Sequence, residues 1–294
     1  MVSHGIGAPH HAGTCGPWGI THVTPQLDII IVNFNTAAHL AVCLAALSDA
    51  PPETPHHISV VDNGSTDMSV ALVKEQWPDV DVVALPANVG FAAANNVGIR
   101  RTSAPLILLL NSDTVVAEGA LDRLVARLEA TGAVAAGPRL IDATLSPEVS
   151  FGPMLTPWGE AVQRLRVKLA ASKRPWARRY ITRHVSQERT VDWVSGACLL
   201  VRRAAAEETG LLDERYFMYE EDVDFCAALR ARGGRILFTP AAEILHLRGG
   251  SLAATGQAVS PLYDRSHLRF YEKHSPLWAP VLRAWLAVRG RAIR

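Results

Sequence analysis

Uninterrupted apolar runs recur along the first half of the chain, each followed by a polar break and then an amphipathic stretch. Asp28-Ile29-Ile30-Ile31-Val32 reads as a buried strand, and Thr36 as the cap of a helix that turns Leu40, Cys43, Leu44 and Leu47 inward. His57 to Val61 is a second strand, and Asp67 opens a helix that runs to about Trp77 and stops at Pro78. Val80 to Leu85, Pro105 to Leu110 and Ala133 to Ala136 supply three more strands. Between them, Gly90 to Arg101 and Glu118 to Ala130 are helical, the latter ended by Gly132. Strands that are apolar on both faces, alternating with helices, predict an α/β fold: a Rossmann-like, mostly parallel central sheet flanked by helices. In such sheets ligands bind beyond the C-terminal strand ends. The polar residues at those ends are Asn33, Asn35, Asp62, Asn88 and Asp113, all on one predicted rim.

The second half is less regular. Ser150 to Arg189 is a Pro-punctuated loop and helix mixture, and Val191 to Val201 reads as extended chain. Glu220 to Arg232 is a helix ended by Gly233-Gly234. Arg235 to Thr239 and Glu243 to Leu247 are strands separated by Pro240. A basic helical tail from Asp264 to Arg294 breaks near Pro276 and Pro280. Residues 1–26 lack periodicity and read as a flexible tail, whose scattered histidines have no ligand spacing. The expected division is therefore this tail, one domain over 27–252 with a basic insertion at 150–189, and a helical segment over 253–294. No internal repeat or clean linker separates the halves.

Composition narrows the function classes. The 294 residues carry a formal net charge of +1, which gives no whole-molecule field for nucleic acid. The charge is unevenly spread, however, with eight Lys or Arg and no acid between Arg164 and Arg183. Cys15, Cys43, Cys198 and Cys226 form no CxxC pair, which disfavours a disulfide framework or zinc knuckle and suits a reducing compartment. Neither a signal peptide nor a spanning apolar segment is visible, so cytoplasmic chemistry is expected.

Several clusters carry candidate chemistry. Asp113 closes Asn111-Ser112-Asp113 at the end of the Leu106–Leu110 run. A carboxylate delivered to a sheet lip is costly without a cation, and a hard divalent ion holding phosphates is a suitable partner. Capping of the next helix is the bland alternative. Asp62-Asn63-Gly64-Ser65-Thr66-Asp67 is a strand-to-helix turn in which Asp62 could accept from a pyrimidine imide. Ordinary turn chemistry also explains it. Asn88-Val89-Gly90 opens a helix with small residues on one face, and it lacks the GxGxxG spacing of a dinucleotide site. Glu220, Glu221, Asp222 and Asp224 crowd a helix start beside Tyr216, Phe217 and Tyr219. Such crowding raises one carboxyl's pKa and suits a general base. His246 follows a strand and precedes Arg248-Gly249-Gly250-Ser251, where Arg248 is a plausible phosphate neighbour.

The order of these segments is more specific than any one of them. VDNGSTD, NVGFAAANNVG, LLLNSD, SGACLLVRR, DERYFMYEEDVDFCAALR and HLRGGS, in that sequence, resemble the family 2 glycosyltransferases of the GT-A fold. The likeness spans about residues 27–251 and is nearest to bacterial rhamnosyltransferase-type members. The resemblance implies that Asp62 reads the donor's uracil or thymine and that Asn33 and Asn35 border the nucleotide. Asn88, Gly90, Asn96, Asn111 and Arg248 join them in holding the nucleotide-sugar. Asn111-Ser112-Asp113 stands where the family has DxD, which makes Asp113 the ligand of a divalent metal, Mg²⁺ or Mn²⁺, and His246 its companion. Asp222 matches the base that deprotonates the acceptor hydroxyl, with Glu221 orienting it. Asn95 replaces the Arg of an Arg-Asn pair that many relatives carry, which removes one direct phosphate contact.

The expected activity is inverting, metal-dependent transfer of a sugar, rhamnose from dTDP-rhamnose, to a cell-envelope glycan or polyprenyl-linked acceptor. The alternatives are a UDP-hexose or GDP-mannose transferase of the same fold, and an inactive nucleotide-sugar-binding protein. Residues 158–183 and 277–293 mix Trp and aliphatic side chains with cations. Such segments suit peripheral contact with the anionic inner face of the plasma membrane, although a solvated helix face has the same composition.

Overall fold

A computed structural model describes residues 24–247 and 259–291. The strands are β1 (Leu27–Asn33), β2 (His56–Asp62), β3 (Asp81–Ala84), β4 (Leu106–Asn111), β5 (Thr114–Val116), β6 (Ala135–Ile141), β7 (Phe151–Gly152), β8 (Arg189–Val191), β9 (Trp193–Val194), β10 (Cys198–Arg202) and β11 (Ile236–His246). The helices are α1 (Ala37–Asp49), α2 (Ser69–Gln76), α3 (Phe91–Arg101), α4 (Ala120–Thr131), α5 (Pro157–Ala170), α6 (Pro175–Val185), α7 (Arg203–Glu208), α8 (Glu221–Ala231), α9 (Val259–His274) and α10 (Ala279–Val288). No described helix is long and apolar enough to cross a membrane.

One sheet organises the molecule, in the order β3-β2-β1-β4-β10-β6-β11-β5, with β8 paired on β11. The parallel pairing expected from the apolar runs holds for β1 to β4. Beyond β4 the sheet is mixed: β10 enters antiparallel between β4 and β6, while β6 and β11 are parallel. Both faces are covered, which is why the strands read as continuous apolar runs. Ile29, Ile31, Leu108 and Leu110 pack on the α1, α2 and α4 side. Ile30, Ile107 and Leu109 pack on the opposite side, against α3, α6, α7 and α8. A smaller third cluster joins Leu155 and Tyr216 to Leu268, Phe270 and Tyr271 of α9 and Ala279 of α10.

Some local expectations change. Thr36 precedes α1 but caps nothing with its side chain. Its hydroxyl instead donates to Asn33 Oδ1 at 2.6 Å and meets Ser112 Oγ at 3.0 Å, tying the first strand end to the Asp113 turn. The two strands expected around Pro240 are one strand, β11, with a register shift between Thr239 and Glu243 that absorbs the missing proline donor. The basic insertion is mostly two helices, α5 and α6, each with proline in its first turn. Cys43, Cys198 and Cys226 are buried free thiols.

Candidate active site

The strand register gathers the site. Asn33 pairs with Asp62, and Val32 with Asn111, so three strand tips share one rim. β5 then turns back antiparallel to β11 and sets His246 opposite Thr114, immediately beside Asp113. On β4's other side, Asn111 N donates to Ala197 O at 2.9 Å, which brings Ser195 to Ala197 to the same rim. Gly196 N in turn donates to Asp222 Oδ2 at 2.8 Å. The result is a cleft of about 440 Å³ over the strand ends. Of the sequence candidates, Asn88, Asn111, Asp113, Glu221, Asp222 and His246 line it. Two carboxylates more than a hundred residues apart, Asp113 and Asp222, thus open into one cavity.

Asn33, Asn35, Asp62 and Asn96 are not among the residues that line the cleft, and each uses its polar atoms in hydrogen bonds within the protein. Asn33 is fully buried and donates to Asp62 Oδ1 at 3.0 Å and to Ser65 Oγ at 3.2 Å. Asp62 is 2% exposed and also accepts from Ser65 N at 2.9 Å, while its neighbour Asn63 is the residue that faces the cleft. Asn35 adopts φ 51° and accepts from Thr66 N, a turn role that suits the left-handed tolerance of Asn. Asn96 turns away altogether: it donates to Leu212 O and Glu214 Oε1 and accepts from Leu212 N. Its place on the buried side of α3 explains this, and direct contact with a ligand in the cleft is not available to it. Gly90 adopts φ 92°, and a Cβ there would lie 2.6 Å from Phe217 O. Its role is to let α3 abut the loop before Glu221. Arg248 lies outside the described residues.

Asp113 is 8% exposed, and His246 Nε2 lies 3.3 Å from its Oδ1. The other ring nitrogen faces Glu148 Oε2 at 3.4 Å. Burial opposes protonation of His246, but the two carboxylates prevail and lift its pKa to about 9. Burial likewise works to raise Asp113, and the bond and charge of His246 overcome it, so the carboxyl sits below its usual range. Glu148 was not apparent from the sequence, since 98 residues separate it from His246 and no local pattern marks it.

The second acidic group lies at the start of α8, where the macrodipole favours negative charge. Asp222 is held by Gly196 N and by Val223 N, each at 2.8 Å. Burial still raises its pKa, against those two donors. Glu221 rises well above the usual carboxyl value, first through burial and then through the charges of Asp222 and Glu220. Its Oε2 has no partner. Three backbone donors stabilise the Asp222 anion, whereas Glu221 has only its own backbone N–H, so Glu221 is the carboxyl that holds a proton more readily and Asp222 the one that carries the charge. A buried carboxylate of raised basicity at the lip of a cleft is suited to accept a proton from a bound hydroxyl.

Among the described residues, no group of three or more His, Cys, Asp or Glu would hold a metal ion unaided. Asp113 supplies one donor and His246 a second once its ring gives up the proton held between the two carboxylates, and Asn111 Oδ1 beside them is buried without a partner. That fits an ion that fills its remaining positions with water and phosphate oxygens.

The model of the family described as "Glycosyl transferase family 2" matches residues 28–210. The N-acetylglucosaminyl-diphospho-decaprenol L-rhamnosyltransferase of Mycobacterium tuberculosis is 31% identical, over 92% of this chain and 92% of that one. The O-antigen biosynthesis protein RfbC of Myxococcus xanthus is 27% identical, over 79% of this chain and 18% of its own length. Among solved structures, GalNAc-T7 with UDP, GalNAc and Mn²⁺ superposes with a TM-score of 0.61 at 16% identity, covering 86% of this chain and 48% of that one. Staphylococcus aureus TarS with UDP-GlcNAc gives 0.58 at 17% identity, covering 83% and 65%. At these identities the likeness is one of fold.

Proposed function

Because the chain belongs to glycosyl transferase family 2, we propose that it moves rhamnose from dTDP-rhamnose onto a polyprenyl-diphosphate-linked N-acetylglucosamine acceptor. One observation carries the reading: Asp113, His246 and Asp222 face a single cleft over the strand ends. The rim built by Asn33, Asp62 and Ser65 borders the nucleotide, with Asp62 acting by holding that rim in place. Asp113 and His246, with Asn111, would hold a divalent ion against the diphosphate. When bound, that ion supplies charge neutralisation for the leaving nucleoside diphosphate. Asp222 takes the proton from the acceptor hydroxyl as it attacks the anomeric carbon from the face opposite the diphosphate. Glu221, holding its own proton, keeps a second negative charge away from that base. One displacement of this kind inverts the anomeric configuration and needs no covalent intermediate.

A lipid-linked acceptor would have to be met at a bilayer, and the surface supports that. Trp158, Leu165 and Trp176 project from α5 and α6, and Leu277, Trp278, Val281 and Val288 from in and around α10. Arg164, Lys168, Arg179, Arg283 and Arg289 stand among them. Apolar anchors mixed with cations suit an anionic, cytoplasm-facing leaflet. The direct test offers labelled dTDP-rhamnose, UDP-hexose and GDP-mannose, each with Mn²⁺ and a GlcNAc-diphosphate-polyprenyl acceptor. Label entering the lipid from dTDP-rhamnose alone is the expected result. No transfer from any donor would overturn the reading.

A further inference from the structure

The segment leading into Glu221 is backbone of an unfavourable kind. Tyr219 has φ 73° and Glu220 φ 64°, two consecutive non-glycine residues in the left-handed region. Such geometry persists only where surrounding contacts over-determine it. Phe91 N donates to Phe217 O at 2.7 Å from the α3 side. Most of the other restraint comes from one element, α9, which lies more than forty residues further along the chain. Ser266 Oγ donates to Met218 O at 2.7 Å, and the Tyr219 ring meets Tyr263 edge-on. His267, 4% exposed, bridges two buried carboxylates: Nδ1 lies 2.7 Å from Glu220 Oε1, and Nε2 lies 3.1 Å from Glu160 Oε1 of α5.

We propose that His267 is a positioning residue for the reaction: as an imidazolium it clamps Glu220 to Glu160 and so fixes the left-handed turn that aims Glu221 and Asp222 into the cleft. This rests on the glycosyltransferase reading of that cleft. Only the doubly protonated ring can donate to both carboxylates at once. Two carboxylates favour that state. Glu220 and Glu160 face it from two elements, and Arg164 pairs with Glu160 from the far side. From α9 itself, the Tyr263 ring stacks on the imidazole at 5.3 Å, and Tyr271 meets its edge while donating to Glu160. Burial resists the charge on His267, and the two carboxylates overcome it, lifting its pKa to about 9. The cation also offsets the negative charge of Glu220, which would otherwise push the Glu221 carboxyl still higher. The clamp therefore joins the basic insertion and α9 to the base, and His267 itself is not among the residues that line the cleft.

The test measures transfer by purified full-length His267→Ala and His267→Gln with saturating acceptor. The expected result for His267→Ala is a fall in kcat of about tenfold, or ~1.4 kcal/mol, with the donor KM held within about twofold. Gln keeps one donor and should recover part of the loss, as should free imidazole added to the alanine variant. A folded His267→Ala with kcat within twofold of wild type overturns the proposal. So does a loss confined to KM, or one that neither Gln nor imidazole reduces. If neither variant folds, Ser266→Ala, which removes the Met218 tie alone, must lower kcat about threefold, and an unchanged kcat there is the overturning result. An inactive wild type would instead defeat the glycosyltransferase reading, so the two failures are distinguishable.

Discussion

Replacing Asp222 by Asn removes the charge and keeps the shape, but this site makes the swap more than a charge test. Gly196 N and Val223 N each donate to one carboxylate oxygen at 2.8 Å. An amide has only one acceptor oxygen, so in either orientation its NH₂ confronts a backbone N–H. One buried donor left without a partner costs about 1–3 kcal/mol, partly offset because Glu221 no longer faces a neighbouring anion. The net cost of about 1–2 kcal/mol should lower the melting temperature by ~2–4 °C per kcal/mol for a chain of this size. Against a typical stability of about 5–15 kcal/mol the variant stays folded at assay temperature. Loss of a general base costs about 10²–10⁴ in rate, or roughly 3–5 kcal/mol of barrier. The two effects are therefore separable by size. Initial rates at saturating donor should fall by at least ~100-fold, while calorimetric titration finds donor affinity within about threefold of wild type. Turnover within fivefold of wild type in a folded Asp222→Asn protein would refute the base assignment.

Thorough chelation should abolish transfer, and Mn²⁺ should restore it; Asp113→Ala should raise the Mn²⁺ concentration needed for half-maximal rate by about tenfold or more, and full activity in excess chelator would contradict this. Gly90→Ala meets both a positive φ and Phe217 O at 2.6 Å, so urea unfolding should show a loss of about 2 kcal/mol or more, whereas a loss under 0.5 would show that the loop simply gives way. Arg203→Met takes the guanidinium at 2.9 Å from Asp28, which is 3% exposed and keeps the Ala104 N–H donor; the urea midpoint should report about 2–4 kcal/mol, and a change under ~1 would mean that water replaces the arginine. His267 has a folded pKa of about 9, above the unfolded value near 6.5, so its stabilisation is full below about pH 6.5 and is lost as pH rises through 9. The urea midpoint should fall across that window and flatten in His267→Gln, and an equal slope in both proteins would exclude His267 as the source.

The legible part of this fold is the part whose burial is symmetric. β1 and β4 are covered on both faces, so Ile29–Val32 and Leu106–Leu110 are apolar without a break, and the polar ends of these strands mark the rim. The orientation of β10 could not be read in the same way. Cys198 to Arg202 is as apolar as any parallel strand, and nothing in an apolar run records the direction of its neighbours. The three-residue β5 is equally silent in sequence. Yet its antiparallel pairing with β11 is what carries His246 to Asp113.

The same limit decides which polar residues can be told from the sequence to face the cleft. A side chain that binds a ligand and one that holds up the ligand's wall need the same chemistry, namely a hydrogen-bonding group at a strand or helix end. Asn88 and Asn111 open into the cleft, whereas Asn33 and Asn96 spend their amides on Asp62 and on the Leu212 backbone. Only the tertiary partner distinguishes them, and it lies 29 residues away for Asn33 and 116 for Asn96. Acid clusters hide their function in the opposite way. Glu220, Glu221, Asp222 and Asp224 look like one motif, but the fold separates them by what it brings to each. Asp222 receives backbone donors and the cleft. Asp224 receives Lys273 and His274, and Glu220 receives His267. All three of those side chains come from α9, within the tail that the sequence showed only as basic and helical. A run of acids at a helix start thus resolves into residues with different surroundings only when the partner of each acid is known. In this chain α9 makes most of those assignments.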